Sequence, residues 1–311
     1  MTKVSPMFSA AVAAVFLSTS VMAQDGPTAH AFRAAAPTDP SNEVFIPRDK
    51  ADVLELAEWD SKSPRGDTVQ IVWGRDEVVK APASASRYVQ RSYVFPTGTI
   101  RVLEFKKETG GMIHMITSET ALYMLKGAGR VGVAGRDVEI AERDLVSYPS
   151  GVLRGSGDAT VILWTVTGAK LNDAAKSKVV RAADAVEVNS AEWDEGGKRV
   201  RGRTPEELAK APKDAIRLKI NRYDFDGNSV RVTVNYKGGP TSPVSGSKTD
   251  SLIYVTGGRL QHFQDGESMI AVPGDAIREA AGSTNYWIRL EDSSFVATSS
   301  QPVVPTAPKS P

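Results

Sequence analysis

Cysteine is absent from this sequence, and histidine occurs only three times in 311 residues. Without cysteine the chain has no disulfide bonds, no thiolate chemistry and no cysteine-based zinc site. An excess of charge of one sign is also lacking, since 38 Lys and Arg face 37 Asp and Glu, for a net charge of +1. A nucleic-acid-binding protein is expected to carry a clustered basic surface, so this class of partner is excluded.

The apolar content of 41% is enough for two domains of ordinary size, each with its own core. The first residues have the pattern of a signal peptide, with Lys3 before an apolar run from Ala10 to Val21 and a small-residue cleavage site at Ala23. That run of about twelve residues is too short to cross a membrane, which needs roughly twenty. The sequence therefore predicts a secreted or periplasmic protein that starts at Gln24 and has no membrane segment in its mature form.

A four-residue motif occurs twice and indicates a duplication. Ala57–Asp60 reads Ala-Glu-Trp-Asp, and the same letters return at Ala191–Asp194, 134 residues later. In a similar way, Glu119–Tyr123 can be aligned with Asp250–Tyr254. A spacing this long suits two copies of one domain rather than a solenoid of short repeats.

The turns that contain Pro149 and Pro273 extend this alignment. With these two turns superposed, Arg154 of the first copy falls on Arg278 of the second. The offset shrinks along the copy, so the alignment predicts shorter loops in the second domain.

Each copy consists of short runs of alternating or buried-looking apolar residues separated by turn residues, which is typical of an all-β fold with many strands. Double-sheet closure of the jelly-roll type protects the edges of such sheets. Between the copies, Thr204 and Glu207 form a capping-box pattern that predicts one short helix. The expected organisation is a signal peptide (1–23), an extended leader (24–50), a first domain (51–169), a linker with a short helix (170–213), a second domain (214–298) and a disordered tail (299–311).

Two stretches of the first copy carry a resemblance to a known superfamily. The stretch from Gly110 to Gly127 places His114 five residues before Glu119 and then runs into a strand closed by glycine. The stretch from Arg143 to Arg154 contains a Pro-x-Gly turn. Together they resemble the two motifs of the cupins, G-x5-H-x-H-x3–4-E-x6-G and G-x5-P-x-G-x2-H-x3-N. The resemblance implies a bicupin, with two tandem jelly-roll-type β-barrels and a short helical connector.

In the cupin pattern three histidines and one glutamate hold a metal ion inside the barrel. His114 and Glu119 match two of these positions, while Met112 and Arg154 replace two histidines. The resemblance therefore implies either no cofactor or a single divalent metal ion held by His114 and Glu119. In the second copy Asp250 is the surviving candidate ligand.

Proton transfer is the second chemistry that these residues suggest. His114, with its tautomer held by Glu119, can act as a general base. Tyr123 or Tyr148 would then supply the acid, which resembles the metal-free sugar epimerases of the cupin superfamily. The structural alternative makes His114 a barrel histidine that is satisfied by a neighbouring hydroxyl or by Glu119.

Arginine in a barrel interior requires a partner, and its guanidinium fits a carboxylate bidentately. Arg154, Arg278 and Asp250 are therefore candidate residues for binding an anionic ligand. The alternative places both arginines at a barrel rim in water. His262, between two glutamines, is interpreted as a strand-surface residue.

Two functions follow from these observations. The first is an exported isomerase, lyase or oxygenase that acts on a small anionic or polyhydroxylated molecule by histidine-mediated proton transfer or with a weakly held metal. The second is a non-catalytic ligand-binding or structural bicupin whose sites have decayed. The two barrels are expected to pack on each other or on a second chain in a homodimer.

Overall fold

The computed structural model describes residues 44–63, 66–106, 111–114, 120–166, 177–225, 228–236, 244–245 and 249–300. The predicted signal peptide, most of the predicted leader and most of the predicted tail lie outside these residues. Within the described part of the chain, no helix is long and apolar enough to span a membrane.

Strands make up most of the described chain. In order they are β1 (Phe45–Ile46), β2 (Asp52–Ser63), β3 (Gly66–Trp73), β4 (Ser86–Phe95), β5 (Gly98–Phe105), β6 (Gly111–His114), β7 (Ala121–Lys126), β8 (Ala128–Val133), β9 (Arg136–Ala141), β10 (Leu145–Ser147), β11 (Ser150–Gly155), β12 (Thr160–Val166), β13 (Lys178–Val180), β14 (Val186–Glu195), β15 (Lys198–Gly202), β16 (Ile216–Phe225), β17 (Asn228–Asn235), β18 (Val244–Ser245), β19 (Ser251–Gly257), β20 (Leu260–Gln264), β21 (Glu267–Ala271), β22 (Ala276–Glu279), β23 (Thr284–Arg289) and β24 (Ser293–Ser300). Short α-helices span Arg75–Lys80 and Pro205–Lys210, and single 3-10 turns span Arg48–Lys50 and Ala182–Asp184.

The strands form two barrels of the same design. The first barrel combines the eight-stranded sheet β13-β10-β7-β12-β5-β4-β2-β3 with the four-stranded sheet β6-β11-β8-β9. The second combines β1-β22-β19-β24-β17-β16-β14-β15 with β18-β23-β20-β21. The prediction of an all-β protein with two tandem barrels is therefore confirmed.

The two halves match strand for strand in their register. Ala57 of β2 lies opposite Arg87, and Ala191 of β14 lies opposite Arg217, so the repeated motif occupies equivalent positions. The predicted helix is also present, with Thr204 as its N-cap and a complete capping box. These features confirm the duplication.

Each barrel receives an edge strand from the segment that precedes the other barrel. β1 lies before the first barrel in the chain but pairs with β22 of the second, with Phe45 opposite Ile277. β13 lies before the second barrel but pairs with β10 of the first, with Val179 opposite Val146. The predicted leader and linker thus each contain an ordered strand, and these strands tie the two barrels together.

The predicted linker (170–213) needs a further correction, because β14 and β15 lie inside it. Both strands belong to the eight-stranded sheet of the second barrel. The polar composition of Lys198–Gly202 concealed a strand, since two of its arginines form ion pairs with the buried Glu192.

A shared apolar core joins the barrels. It contains two edge-to-face tyrosine pairs, Tyr93 with Tyr254 at 5.8 Å and Tyr123 with Tyr223 at 5.9 Å between ring centroids. β4 and β16 are equivalent, as are β7 and β19, so the two pairs are related by the duplication. The Tyr93 hydroxyl donates to the Gly274 carbonyl at 2.5 Å, and the Tyr223 hydroxyl donates to the equivalent carbonyl of Arg143 at 2.8 Å.

The alignment of the two proline turns was wrong. Arg143 and Gly274 both have a left-handed backbone, with φ of 71° and 100°. Each is followed by an aspartate that accepts a hydrogen bond from the segment leading into the other barrel, Asp144 from the Ala182 amide and Asp275 from the Arg48 amide. These residues, rather than Pro149 and Pro273, define equivalent turns.

Candidate functional site

The predicted site in the first barrel is only partly described. His114 is the last residue of β6, and its backbone lies opposite Val152 of β11. Its side chain and the whole of Glu119 lie outside the described residues, so their roles as base or metal ligands stay predictions. Among the described residues, the first barrel holds one cluster of fourteen buried apolar residues, and Glu58, Gln90 and Arg101 are buried as well. That cluster consists of Leu56, Tyr88, Leu103, Phe105, Leu122, Met124, Val131, Val133, Ile140, Val146, Leu153, Ala159, Val161 and Leu163.

Tyr123 and Tyr148, the predicted acids, do not face this interior. Leu122 and Met124 of β7 point into the first barrel, so Tyr123 between them points into the core between the barrels. Tyr148 lies in the same core and packs edge-to-face on Phe225 at 6.1 Å. Both tyrosines therefore pack in the core between the barrels, and burial keeps the pKa of Tyr123 above its ordinary value.

The predicted arginines also lie in unrelated places. Arg154 is on β11, where its side chain is 51% exposed and 3.7 Å from Asp137, while the neighbouring Leu153 fills the barrel. Arg278 is on β22, and its guanidinium contacts Asp250 at 3.3 Å and the Thr97 hydroxyl at 3.1 Å. The prediction that Arg154 points into the barrel and superposes on Arg278 was therefore wrong. The ion pair of Arg278 with Asp250 lies within the second barrel, and the hydrogen bond from Arg278 to Thr97 links the second barrel to the first.

The second barrel has a polar interior that the sequence interpretation missed. Among the described residues, its apolar cluster contains seven buried members against fourteen in the first barrel. Two paired strands line the polar part: His262 of β20 lies opposite Trp287 of β23, and Gln264 lies opposite Asn285. His262 is fully buried rather than on the surface.

His262, Trp287 and Glu279 are in mutual contact. The Trp287 indole N–H donates to Glu279 Oε1 at 2.7 Å, and His262 Nε2 lies 3.8 Å from the same oxygen. The imidazole also lies on the Trp287 ring at 4.2 Å between centroids. Within the described part of the chain, neither ring nitrogen of His262 has a hydrogen-bond partner.

Burial sets the protonation of this group. It lowers the pKa of His262 to about 3, with a further contribution from the positive charge of Arg289, so the imidazole is neutral at ordinary pH. Burial raises the pKa of Glu279, against the opposing effects of the Trp287 hydrogen bond and of Arg231. A carboxyl with a raised pKa beside a neutral imidazole has the features of a general acid–base pair.

A buried ion network lies next to this group. Glu192 is 1% exposed and forms ion pairs with Arg199 and Arg201 of the neighbouring strand β15. Burial acts to raise the pKa of Glu192, but the two arginines outweigh it and hold the pKa below its ordinary value. Glu192 is the glutamate of the repeated Ala-Glu-Trp-Asp motif, and Glu58 at the equivalent position in the first barrel is also fully buried. The motif that marked the duplication thus also marked a buried carboxylate in each barrel.

Positive charge exceeds negative charge in this part of the second barrel. Among the described residues, Arg289 and Arg231 join Arg199 and Arg201, so that the positive charges of four guanidiniums act on the carboxylates of Glu192 and Glu279. Arg289 is 5% exposed, and burial lowers its pKa to about 10. The Nε atoms of Arg199, Arg231 and Arg289 are buried and have no hydrogen-bond partner within the described part.

The described residues of the second barrel do not fit a metal ion. No group of three or more His, Asp or Glu side chains that could hold one occurs among the described residues. In the second barrel, His262 and Glu279 provide two donors, and the nearby guanidiniums oppose a cation. The arrangement instead suits an anion.

Comparisons with solved structures return proteins of similar fold. A cupin 2 conserved barrel domain protein from Leptotrichia buccalis is 13% identical, with a TM-score of 0.41 over 73% of this chain and 94% of that one. AerE from Microcystis aeruginosa is 8% identical, with a TM-score of 0.49 over 68% and 91%. Oxalate decarboxylase from Lactobacillus farciminis, solved as a formate complex, is 10% identical, with a TM-score of 0.48 over 70% and 82%. No family model and no curated protein matches the sequence.

Likenesses at these identities and scores carry no argument about substrate or reaction. The fold itself can be read from the strand pairing of this chain. Each half closes an eight-stranded sheet against a four-stranded one, and the second half repeats the strand order of the first. The fold is thus two tandem jelly-roll-type barrels, the architecture that the sequence resemblance to the cupins implies.

Proposed function

We propose that the second barrel binds a small organic anion. The observation that carries this proposal is the surplus of guanidinium groups around Glu192 and Glu279, three of which have a buried Nε without a hydrogen-bond partner within the described part of the chain. Buried polar groups in native proteins are nearly always hydrogen-bonded. An anion with several acceptor atoms would supply the missing partners and balance the charge.

Arg289 is the residue to test, because it is 5% exposed and the charges of Glu192 and Glu279 both act on it. Arg289→Met keeps much of the apolar stem and removes the donors. Binding of D-gluconate and hexanoate to the purified protein is measured by calorimetry. We expect the wild type to bind an acid of this kind and Arg289→Met to bind it about 30-fold more weakly or worse, since losing one partner of a desolvated charge pair costs about 2–5 kcal/mol.

Arg259→Met is the matched control, because Arg259 is 51% exposed and its ion pair with Glu291 lies at the surface. Its affinity should equal that of the wild type. Arg231→Met provides a second test if Arg289→Met does not fold, as judged by circular dichroism. Unchanged affinity in the folded variants, or a wild type that binds neither acid, would refute the proposal.

Proton transfer to the bound molecule is a second candidate function, favoured by the 3.8 Å approach of His262 to Glu279 and by the raised pKa of Glu279. Its test is exchange of the C3 protons of 2-oxobutyrate in D2O, followed by NMR. Exchange should stop in Glu279→Gln and continue in Glu267→Gln, because Glu267 is exposed on β21. Exchange at the same rate in Glu279→Gln would leave binding alone as the function.

Export to the periplasm or the medium belongs to the same proposal, as does a small-molecule partner rather than a macromolecule. Both depend on the predicted signal peptide and on the charge pattern described above.

A further inference from the structure

The polar wall of the second barrel has two chemically different ends. Asn285, Trp287 and Arg289 lie on one face of β23, since residues two apart on a strand point the same way. Four strand positions separate Asn285 from Arg289, which corresponds to about 13 Å along the backbone. The long side chains of Arg289 and of Gln264, opposite Asn285, can shorten this distance. The wall therefore has a cationic end and an amide end.

The amide end offers a hydrogen-bond acceptor that lacks a donor. Gln264 is 3% exposed and Asn285 is 8% exposed. The Asn285 amide donates to the Ser283 hydroxyl at 3.4 Å, whereas Gln264 Oε1 has no hydrogen-bond partner within the described part of the chain. A carboxylate cannot satisfy this oxygen, because an ionised carboxylate only accepts hydrogen bonds. A hydroxyl group can.

Stacking of a sugar ring on the tryptophan is not available at this wall. His262 covers Trp287 at 4.2 Å, and Phe295 stacks with the same indole at 5.8 Å and an interplanar angle of 14°. The indole N–H is already donated to Glu279. A ligand must therefore be recognised through its charge and its hydrogen bonds.

We propose that the ligand of the second barrel is a hydroxy acid, with its carboxylate at the arginine end and a hydroxyl that donates to Gln264 Oε1. This inference rests on the proposed binding of an organic anion and adds the class of molecule. An acid without hydroxyls leaves the buried Gln264 oxygen unpaired, and a site built to bond a hydroxyl discriminates strongly against analogues that lack it. A neutral sugar leaves the surplus positive charge of the guanidiniums unbalanced.

D-gluconate and hexanoate form a suitable pair of probes, because both are six-carbon monocarboxylates and only gluconate carries hydroxyls. Both are titrated into wild type, Gln264→Met and Gln261→Met. Methionine has nearly the shape of glutamine, and Gln261 lies on the same strand but on its other face. We expect wild type to prefer gluconate by about tenfold or more. Gln264→Met should lose about tenfold for gluconate and nothing for hexanoate, while Gln261→Met should match the wild type.

The outcomes separate the two proposals. If Gln264→Met weakens both acids equally, or neither, while Arg289→Met still weakens both, then anion binding stands and the hydroxy-acid assignment is overturned. The wild-type preference is a test that needs no variant to fold. If hexanoate binds as tightly as gluconate, the assignment is overturned as well, and a wild type that binds neither acid overturns both proposals.

Discussion

Replacing His262 by leucine should change how the stability of the protein depends on pH. In the folded protein His262 has a pKa of about 3, because it is fully buried and close to Arg289. In the unfolded chain its pKa is about 6.5. Between pH 6.5 and pH 3, about the two pKa values, the unfolded state binds a proton at His262 and the folded state does not. The stabilising contribution of the neutral imidazole is therefore complete above about pH 6.5 and is lost as the pH falls toward 3.

The size of the effect on stability follows from the difference between the folded-state and unfolded-state pKa values of His262. Each pH unit between the two pKa values costs about 1.4 kcal/mol of unfolding free energy. Between pH 7.5 and 5 the wild type should lose about 2 kcal/mol through His262, and leucine has no proton to bind. Glu279 contributes with the opposite sign, since its raised pKa favours the folded state at low pH, but it is present in both proteins and cancels.

Urea unfolding of wild type and His262→Leu at the two pH values measures this quantity. The difference between their free energies of unfolding should move by about 2 kcal/mol in favour of the variant at pH 5. At pH 7.5 the variant should be about as stable as the wild type, because leucine buries no unpaired nitrogen. Parallel pH dependences would show that His262 titrates normally, and thus that it is not buried as described.

Three further predictions concern the rest of the chain. Glu192→Gln should lower the free energy of unfolding by about 3–5 kcal/mol, because it leaves two partly buried arginines without their carboxylate; Glu187→Gln at the surface should leave the urea midpoint unchanged, and similar midpoints for both variants would contradict this. Tyr93→Phe and Tyr223→Phe should each cost about 1 kcal/mol, since each removes one hydrogen bond to a backbone carbonyl, and clearly unequal losses would argue against their equivalence. The intact mass of exported protein should correspond to a chain that begins at Gln24, whereas a mass that includes the first 23 residues would exclude cleavage there.

The fold was predictable because its strongest signals are local and repeated. The motif at Ala57–Asp60 returns in register at Ala191–Asp194, and the capping box at Thr204 forms the predicted helix. The alignment failed near the Pro149 turn because proline fixes only its own backbone angle φ. A proline in each copy therefore does not show that the two turns are equivalent. The true equivalence depends on Asp144 and Asp275, whose carboxylates bind a segment distant in sequence.

The candidate site was hidden for a different reason. In the stretch from Leu260 to Gln264, apolar and polar residues occur on both faces, so alternation does not show which face is inside. His262 between two glutamines has the composition of a solvated strand, but the interior of this barrel is itself polar. No sequence pattern links His262, Glu279 and Arg289, which come together only in the folded barrel.

The exchanged edge strands impose an order on the folding of the chain as it is synthesised. Phe45 leaves the ribosome about 230 residues before its partner Ile277, which at about 5–20 residues per second is a delay of roughly 10–50 s. Val179 meets Val146 almost at once. The first barrel can thus close while the nascent chain is still growing. The second barrel is complete only after β1, the first strand of the chain, has paired with β22. A gene cut between the barrels would deprive each half of a strand encoded in the other.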